Sequence, residues 1–515
     1  MRPLPTLALA LFSLVTGCAP KATRDFGRFL AKQPQNTFDV LLLDGQVIDG
    51  TGQKAFAADV LIRHDTIAFV GEVDPRLVQV QKTIDARGKV VSPGFIDTHA
   101  HGDPLGERGF LNFLAQGATT VTLGNDGAHP QNLQSWMQRV DQAGSEVNIA
   151  LFVGHGTLRQ EAGLNYDSLP TQAQLEKMGQ LLREKLDLGC LGLSTGLEYL
   201  PGFYAPPYEL EYLAKEVGAK GKLITSHVRN EDDQAIEASL NELLLQGKHC
   251  PVHVSHLKVV FGKGKARAEQ ILDQLEQARQ RGIRVTADVY PYTASFTGIS
   301  ILFPEWALPP HSYEQVVATR RQELLEYLRN RVNKRNGPQA TLLGTAPFAG
   351  KTLAQLAQEK QKPFEEVLLE DIGPGGASAA YFVMDEALQA RFIVDPTVMI
   401  CSDGGPDMRH PRGYGSFARI LEAYVVRTKQ LSLEEAIRKM TSLSARTMGL
   451  ADRGEIAVGK KADLLVFDPA QVHETTTYEN PFQLATGFET VLVNGKVSVE
   501  NGRLVQKNGK VLRKF

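Results

Sequence analysis

Val90-Val-Ser-Pro-Gly-Phe-Ile-Asp-Thr-His-Ala-His101 is an apolar run that ends in two histidines. Seven more segments share its shape: 119–126, 147–156, 190–197, 223–229, 252–258, 285–292 and 397–404. Helical patterns separate most of them. Near-continuous apolar runs between helices indicate parallel strands covered on both faces. Eight such strands predict an α/β fold, a (β/α)8 barrel of the TIM type, over residues 94–452. One gap, 293–396, is too long for a simple loop. It holds Pro-rich pieces and helical patterns and reads as an inserted subdomain over the barrel mouth.

Outside the barrel the texture changes. Residues 38–93 and 453–515 alternate apolar and polar positions. They carry the turn pairs Asp44-Gly45, Asn494-Gly495, Asn501-Gly502 and Asn508-Gly509. Such pairs are strong hairpin signals. Both ends are expected to form short antiparallel strands that pack together as one small β-sandwich. Ser432-Leu-Glu-Glu435 reads as a capping box ahead of Ala436, Ile437 and Met440.

The composition is that of an ordinary globular chain. Its 515 residues are 43% hydrophobic and 22% charged, with net charge −2. No basic surface argues for nucleic acid. Arg2, the apolar stretch Leu7 to Val15 and Val15-Thr-Gly-Cys18 have the three-part layout of an export signal. The ending resembles a bacterial lipobox, in which cleavage leaves Cys18 lipidated. Residues 1–18 are then a signal peptide and 19–37 a tether. Ala19 after the Cys resembles signals sorted to the outer membrane, so the expected place is the envelope, facing the periplasm. This lipid anchor is the only membrane contact expected. Cys190, Cys250 and Cys401 are sparse and sit in or beside apolar segments; buried free thiols are expected.

Catalytic residues of such barrels sit at the C-terminal ends of strands. Here those ends carry His99 and His101, Asp126, His227, His256 and Asp403. His-x-His on a strand places both imidazoles on one face, where they can hold a divalent metal. Four histidines and two carboxylates on one rim make a metal site the expected reading. His64, His129, His249, His311 and His473 read as surface or loop residues, and His253 as core. His155 is placed to line the site without binding metal.

From Phe38 to about Gly502 the chain resembles the D-aminoacylase (N-acyl-D-amino-acid deacylase) branch of the amidohydrolase superfamily. The stretches that carry the resemblance are Gly94-Phe-Ile-Asp-Thr-His-Ala-His101, Gly154-His-Gly-Thr-Leu-Arg159 and Gly192-Leu-Ser-Thr-Gly-Leu-Glu-Tyr199. With them go Ser226-His-Val-Arg-Asn-Glu231, Ser255-His-Leu-Lys258, Asp288-Val-Tyr-Pro-Tyr292, Ser402-Asp-Gly404 with His410-Pro-Arg412, and Ala462-Asp-Leu-Leu-Val-Phe-Asp468. The resemblance implies a tight metal site at His227 and His256 and a weaker one framed by His99, His101 and Asp403. It implies that Asp403 is the general base, and that Lys258, Tyr292 and Arg412 bind the carboxylate of the amino-acid product. Structural ion pairs at the rim are the plain alternative for Lys258 and Arg412, and packing for Tyr292. Glu198 and Arg229 either position the site or pair with each other.

One departure stands out. The branch commonly has Asn-Cys-Gly at the second strand end, and this chain has Asn125-Asp126-Gly127. Asp126 is assigned as a ligand, able to bridge two metals; the alternative is that it only orients a histidine. Zinc is the expected metal, with Mn, Co or Fe admitted by the harder oxygen donor. No Lys ends the fourth segment, which weighs against dihydroorotase-like and hydantoinase-like chemistry. The expected reaction is hydrolysis of N-acyl-D-amino acids to a carboxylate and a D-amino acid. The alternatives are another amide, dipeptide or cyclic amide hydrolase, and a non-enzymatic ligand-binding lipoprotein.

Overall fold

The structure, a computed structural model, describes residues 26–166 and 169–513. Cys18 and the rest of the expected signal segment lie outside the described residues.

Eight strands run parallel in the middle of the chain. They are Phe95–Asp97, Ala118–Leu123, Asn148–Leu151 continued by Val153–Gly154, Gly192–Gly196, Leu223–His227, Val252–Val254, Val285–Val289 and Val398–Ile400. Each pairs with the next in chain order. An Ala100–Gly404 bridge joins the first to the eighth and completes the ring. The β-branched content of Ala-Thr-Thr-Val-Thr-Leu123 suits a pleated, buried surface, and all six residues are buried. Helices flank the strands. Gln172–Asp187 begins with a reciprocal Thr171–Gln174 capping box and buries Leu175, Met178, Leu182 and Leu186. At Ser432 only half of the expected box forms. Ser432 caps Glu435 N–H at 3.2 Å, but the Glu435 carboxylate turns to Arg438.

The two chain ends build one nine-stranded sheet beside the barrel. Val40, Leu42, Val60 and Ile62 from the first end share a core with Leu464, Val466 and Leu492 from the last. Leu465 and Phe467, on the opposite face of the strand Leu464–Phe467, join the barrel core, as alternation requires. The sheet is mixed rather than antiparallel, because Thr37–Val47 pairs in parallel with Gln79–Asp85 and Val90–Pro93. Asn494-Gly495 and Asn501-Gly502 are the expected hairpin turns, at positive φ. Asp44-Gly45 instead forms an irregularity inside a strand, where Asp44 N–H donates to Asp59 at 2.7 Å. Residues 26–30, within the expected tether, form a helix whose Phe26 and Phe29 rings pack on Phe69.

The long gap has its own core around Leu324, Leu328, Leu343, Leu368 and Tyr381. It contains the helix Tyr313–Lys334 and a three-stranded antiparallel sheet of Ser295–Gly298, Ser378–Tyr381 and Thr341–Leu343. Among the described residues no helix is long and apolar enough to cross a membrane.

Candidate active site

The barrel strands deliver six polar residues to one rim. His227 ends the fifth strand. His99 and His256 come two residues after theirs, and Asp126 and Asp403 three after. Asp126, His256 and Asp403 have φ of 52°, 39° and 48°. Non-glycine residues rarely adopt this region, and such conformations persist mainly where the surroundings over-determine them, commonly at functional sites. The Asp126 loop packs so closely on Gly196 that a Cβ there would meet the Asp126 carbonyl oxygen at 2.2 Å. Glycine at the end of the fourth strand is therefore a condition for Asp126 to sit where it does.

Asp126 lies at the centre. Its Oδ1 is 3.3 Å from His99 Nε2, 3.4 Å from His256 Nε2 and 3.9 Å from His227 Nδ1, and its Oδ2 is 3.4 Å from His101 Nε2. Asp403 Oδ1 is 3.1 Å from His101 Nε2 and 3.7 Å from His99 Nε2. Beside a third group of Glu198, His227 and Glu231, two groups of potential ligands form around Asp126: His99, His101, Asp126 and Asp403, and Asp126, His227 and His256. Asp126 belongs to both, which suits a bridging carboxylate.

The donor set fits a divalent cation. His99 Nε2 and Asp126 Oδ1 are buried and make no hydrogen bond, a costly state for polar atoms that hold no ion. The cavity beside them is lined by five carboxylates, Asp126, Glu198, Glu231, Asp232 and Asp403, against three cations, Lys258, Arg335 and Arg412. Burial and Lys258 push His256 down, but the Asp403, Asp126 and Glu231 carboxylates outweigh them and raise it to about 10. Burial pushes Asp403 up, yet Arg412 and His256 hold it well below the usual carboxylate range. Such a field favours positive charge at its centre.

The other expected residues divide. Lys258 and Arg412 line the cavity, and both carry ion pairs. Lys258 Nζ is 2.7 Å from Glu231, 2.7 Å from His256 Nδ1 and 3.2 Å from the His256 carbonyl oxygen. Arg412 Nη1 meets Asp403 Oδ2 at 2.8 Å, and its Nε is buried without a partner. Tyr292 is not brought to the cavity. Its hydroxyl donates to Glu474 at 2.6 Å and its ring lies against Arg419. Tyr290 does not line the cavity either, but its ring backs the two cations, with Lys258 Nζ 5.7 Å and Arg412 Cζ 4.8 Å from its centroid. The strand ends at Val289, so alternation does not carry over to choose between the two tyrosines.

Glu198 and Arg229 do not pair. Glu198 is 3.0 Å from His227 Nε2, whereas Arg229 pairs with Glu242 at 2.9 Å. The sequence reading missed Glu231 and Arg335 as cavity residues. Glu231 stands in a quoted stretch, but nothing in its spacing marks its direction. His129, expected at the surface or in a loop, lies in a loop but is buried there and accepts Gly154 N–H at 2.9 Å. His253 is core, 3.0 Å from Asp288. His155 is also buried, 2.6 Å from Glu209, and does not line the cavity. The three described cysteines are free and buried.

The sequence profile described as "Amidohydrolase family" matches residues 82–289 and 395–499, more than half of the chain. The chain belongs to the amidohydrolase family. The gap in the match coincides with most of the inserted subdomain. Over 508 residues this amidohydrolase is 33% identical to N-acyl-D-glutamate deacylase of Alcaligenes xylosoxydans xylosoxydans, covering 93% of this chain and 97% of that one. It is 32% identical to D-aminoacylase of the same organism over 94% and 99% of the two chains. Among solved structures, N-acyl-D-glutamate deacylase of Bordetella bronchiseptica, in complex with zinc and a phosphonate mimic of the tetrahedral intermediate, superimposes with a TM-score of 0.78. That pair shares 32% identity and covers 93% and 100% of the chains.

Proposed function

We propose that this amidohydrolase is a metal-dependent deacylase that hydrolyses N-acyl-D-amino acids to a carboxylate and a D-amino acid. The observation that carries this reading is the cluster of buried, unsatisfied ligand atoms beside the Lys258–Arg412 wall. The relatives reported above support both the reaction and the D configuration. His99, His101, Asp126, His227, His256 and Asp403 would hold the metal, zinc in the first instance. When bound, a divalent cation lowers the pKa of water towards ~7 and polarises the amide carbonyl.

The chain's own residues do the rest. Asp403 is the proposed base. Arg412 fixes one of its oxygens at 2.8 Å, and the shift described above keeps it ionised at working pH. It takes a proton from the attacking water and passes it to the departing amine. Lys258 and Arg412 present positive charge to the α-carboxylate, with Tyr290 between them. Glu198 and Glu231 orient His227 and His256 from outside, and such partners fix imidazole tautomers.

A soluble form lacking residues 1–18, loaded with zinc, tests the reading. Amine release from N-acetyl-D-methionine but not its L-enantiomer is expected, with loss of at least about 100-fold in Asp403→Asn. A metal-loaded protein inert on both enantiomers would sink the assignment.

We also propose that the enzyme is held at the bacterial envelope by a lipid on Cys18, at the outer membrane facing the periplasm. Arg2, the Leu7 to Val15 run and Val15-Thr-Gly-Cys18 support this. Metabolic labelling with a fatty acid, absent in Cys18→Ala, is the expected result; equal labelling of both forms would reject it.

A further inference from the structure

Three cations line the cavity, and two already carry ion pairs within the protein. Lys258 donates to Glu231 and to the His256 carbonyl oxygen, and Arg412 is paired with Asp403. Arg335 differs. It is 2% exposed, lines the same cavity, and its side chain makes no ion pair or hydrogen bond with any described residue. Its Nε is buried without a partner. Its guanidinium lies against two aromatic faces, Tyr381 at 4.8 Å and Phe261 at 5.8 Å, and Glu198 and Asp232 act on it only through space, without an ion pair. A guanidinium stays charged, and burying it unpaired is expensive. Cation–π contacts recover only part of that cost.

The position of Arg335 separates it from the reacting bond. It caps the helix Tyr313–Lys334 of the inserted subdomain. Lys258 and Arg412 share the Tyr290 ring and touch His256 and Asp403 directly. Arg335 contacts none of these. An α-carboxylate is one carbon from the scissile nitrogen and must stay with the reacting groups. An anion at Arg335 therefore belongs to a more distant part of the substrate. Thr297 and Ser378, which line the cavity on the insertion side, add hydroxyls suited to a carboxylate.

We propose that Arg335 is a specificity residue that receives the side-chain carboxylate of an acidic N-acyl-D-amino acid. The inference rests on the deacylase reading above and adds the substrate class. A planar guanidinium fork matches a carboxylate in two parallel hydrogen bonds.

The test compares N-acetyl-D-glutamate with its neutral isostere N-acetyl-D-glutamine, using the zinc-loaded protein. A wild-type preference for the glutamate form of about 10- to 100-fold in kcat/KM is expected, expressed mainly in KM. In Arg335→Gln the ratio should fall towards one, and Arg335→Lys should restore part of it. A wild-type ratio near one, or a preference for glutamine, overturns the proposal without need of a variant. So does a ratio unchanged in Arg335→Gln. If neither compound nor N-acetyl-D-methionine is hydrolysed, the deacylase reading itself fails; hydrolysis of N-acetyl-D-methionine with indifference to the acidic side chain fails only the inference.

Discussion

Glu231 Oε1 stands 2.7 Å from Lys258 Nζ and 3.3 Å from His256 Nδ1, so one buried carboxylate serves a cavity cation and the back of a ligand imidazole together. Burial pushes Glu231 up, but Lys258 and His227 hold it well below the usual range. It is thus a fixed negative charge behind the metal-binding group. Glu231→Gln keeps the shape and removes the charge. Metal affinity should fall about 10- to 100-fold, read by titration of the apoprotein with zinc. Unchanged affinity would show that Glu231 serves Lys258 alone.

Asp126 supplies oxygen donors to both ligand groups where the family branch commonly has a cysteine. A thiolate is softer and offers one ligand atom. Asp126→Cys should sharpen the preference for zinc over manganese, measured by competition between the two ions with metal analysis of the protein. Equal selectivity in both proteins would mean that position 126 does not contact the metal.

The sequence exposed the strand ends, because each follows an apolar run that the parallel sheet buries on both faces. His99, Asp126, His227, His256 and Asp403 are therefore legible in the sequence itself. Residues behind them are not. Glu231 lies four positions past His227 on an irregular segment, where no period predicts direction. Arg335 comes from the insertion, whose tertiary packing brings a residue distant in sequence to the barrel mouth. Asp44-Gly45 misled in the opposite way: the same dipeptide serves a hairpin or an irregularity within a strand, and its bond to Asp59 decides.

Two tyrosines two residues apart have opposite fates. Tyr292→Phe should leave kcat/KM nearly unchanged but lower the midpoint of thermal unfolding, since a hydrogen bond to the charged Glu474 is worth about 1.5–3 kcal/mol. Tyr290→Phe removes a hydroxyl that reaches Met384 at 3.6 Å, a weak partner, and keeps the ring beneath Lys258 and Arg412. Tyr290→Ala removes that ring and should raise KM. A kinetic defect in Tyr292→Phe larger than in Tyr290→Ala would reverse the placement.

Lys439 gives the clearest pH signature away from the site. It is fully buried and donates to the Asp395 carbonyl oxygen. Burial, opposed by Glu435 and Asp395, lowers its pKa to about 7 from an ordinary 10.5. The folded state therefore disfavours the charged form. Between pH 7 and 10.5 unfolding takes up a proton, so stability rises with pH across that window. Below pH 7 both states are protonated and the cost is present in full. Lys439→Met removes the titration while roughly keeping the length of the side chain. The stability of the variant relative to the parent should be greatest at pH 7 and shrink by about 1–3 kcal/mol by pH 9. Denaturant unfolding at the two pH values reads this directly. A difference that does not change with pH would mean that Lys439 stays protonated in the fold, with the Asp395 carbonyl sufficient to hold its charge.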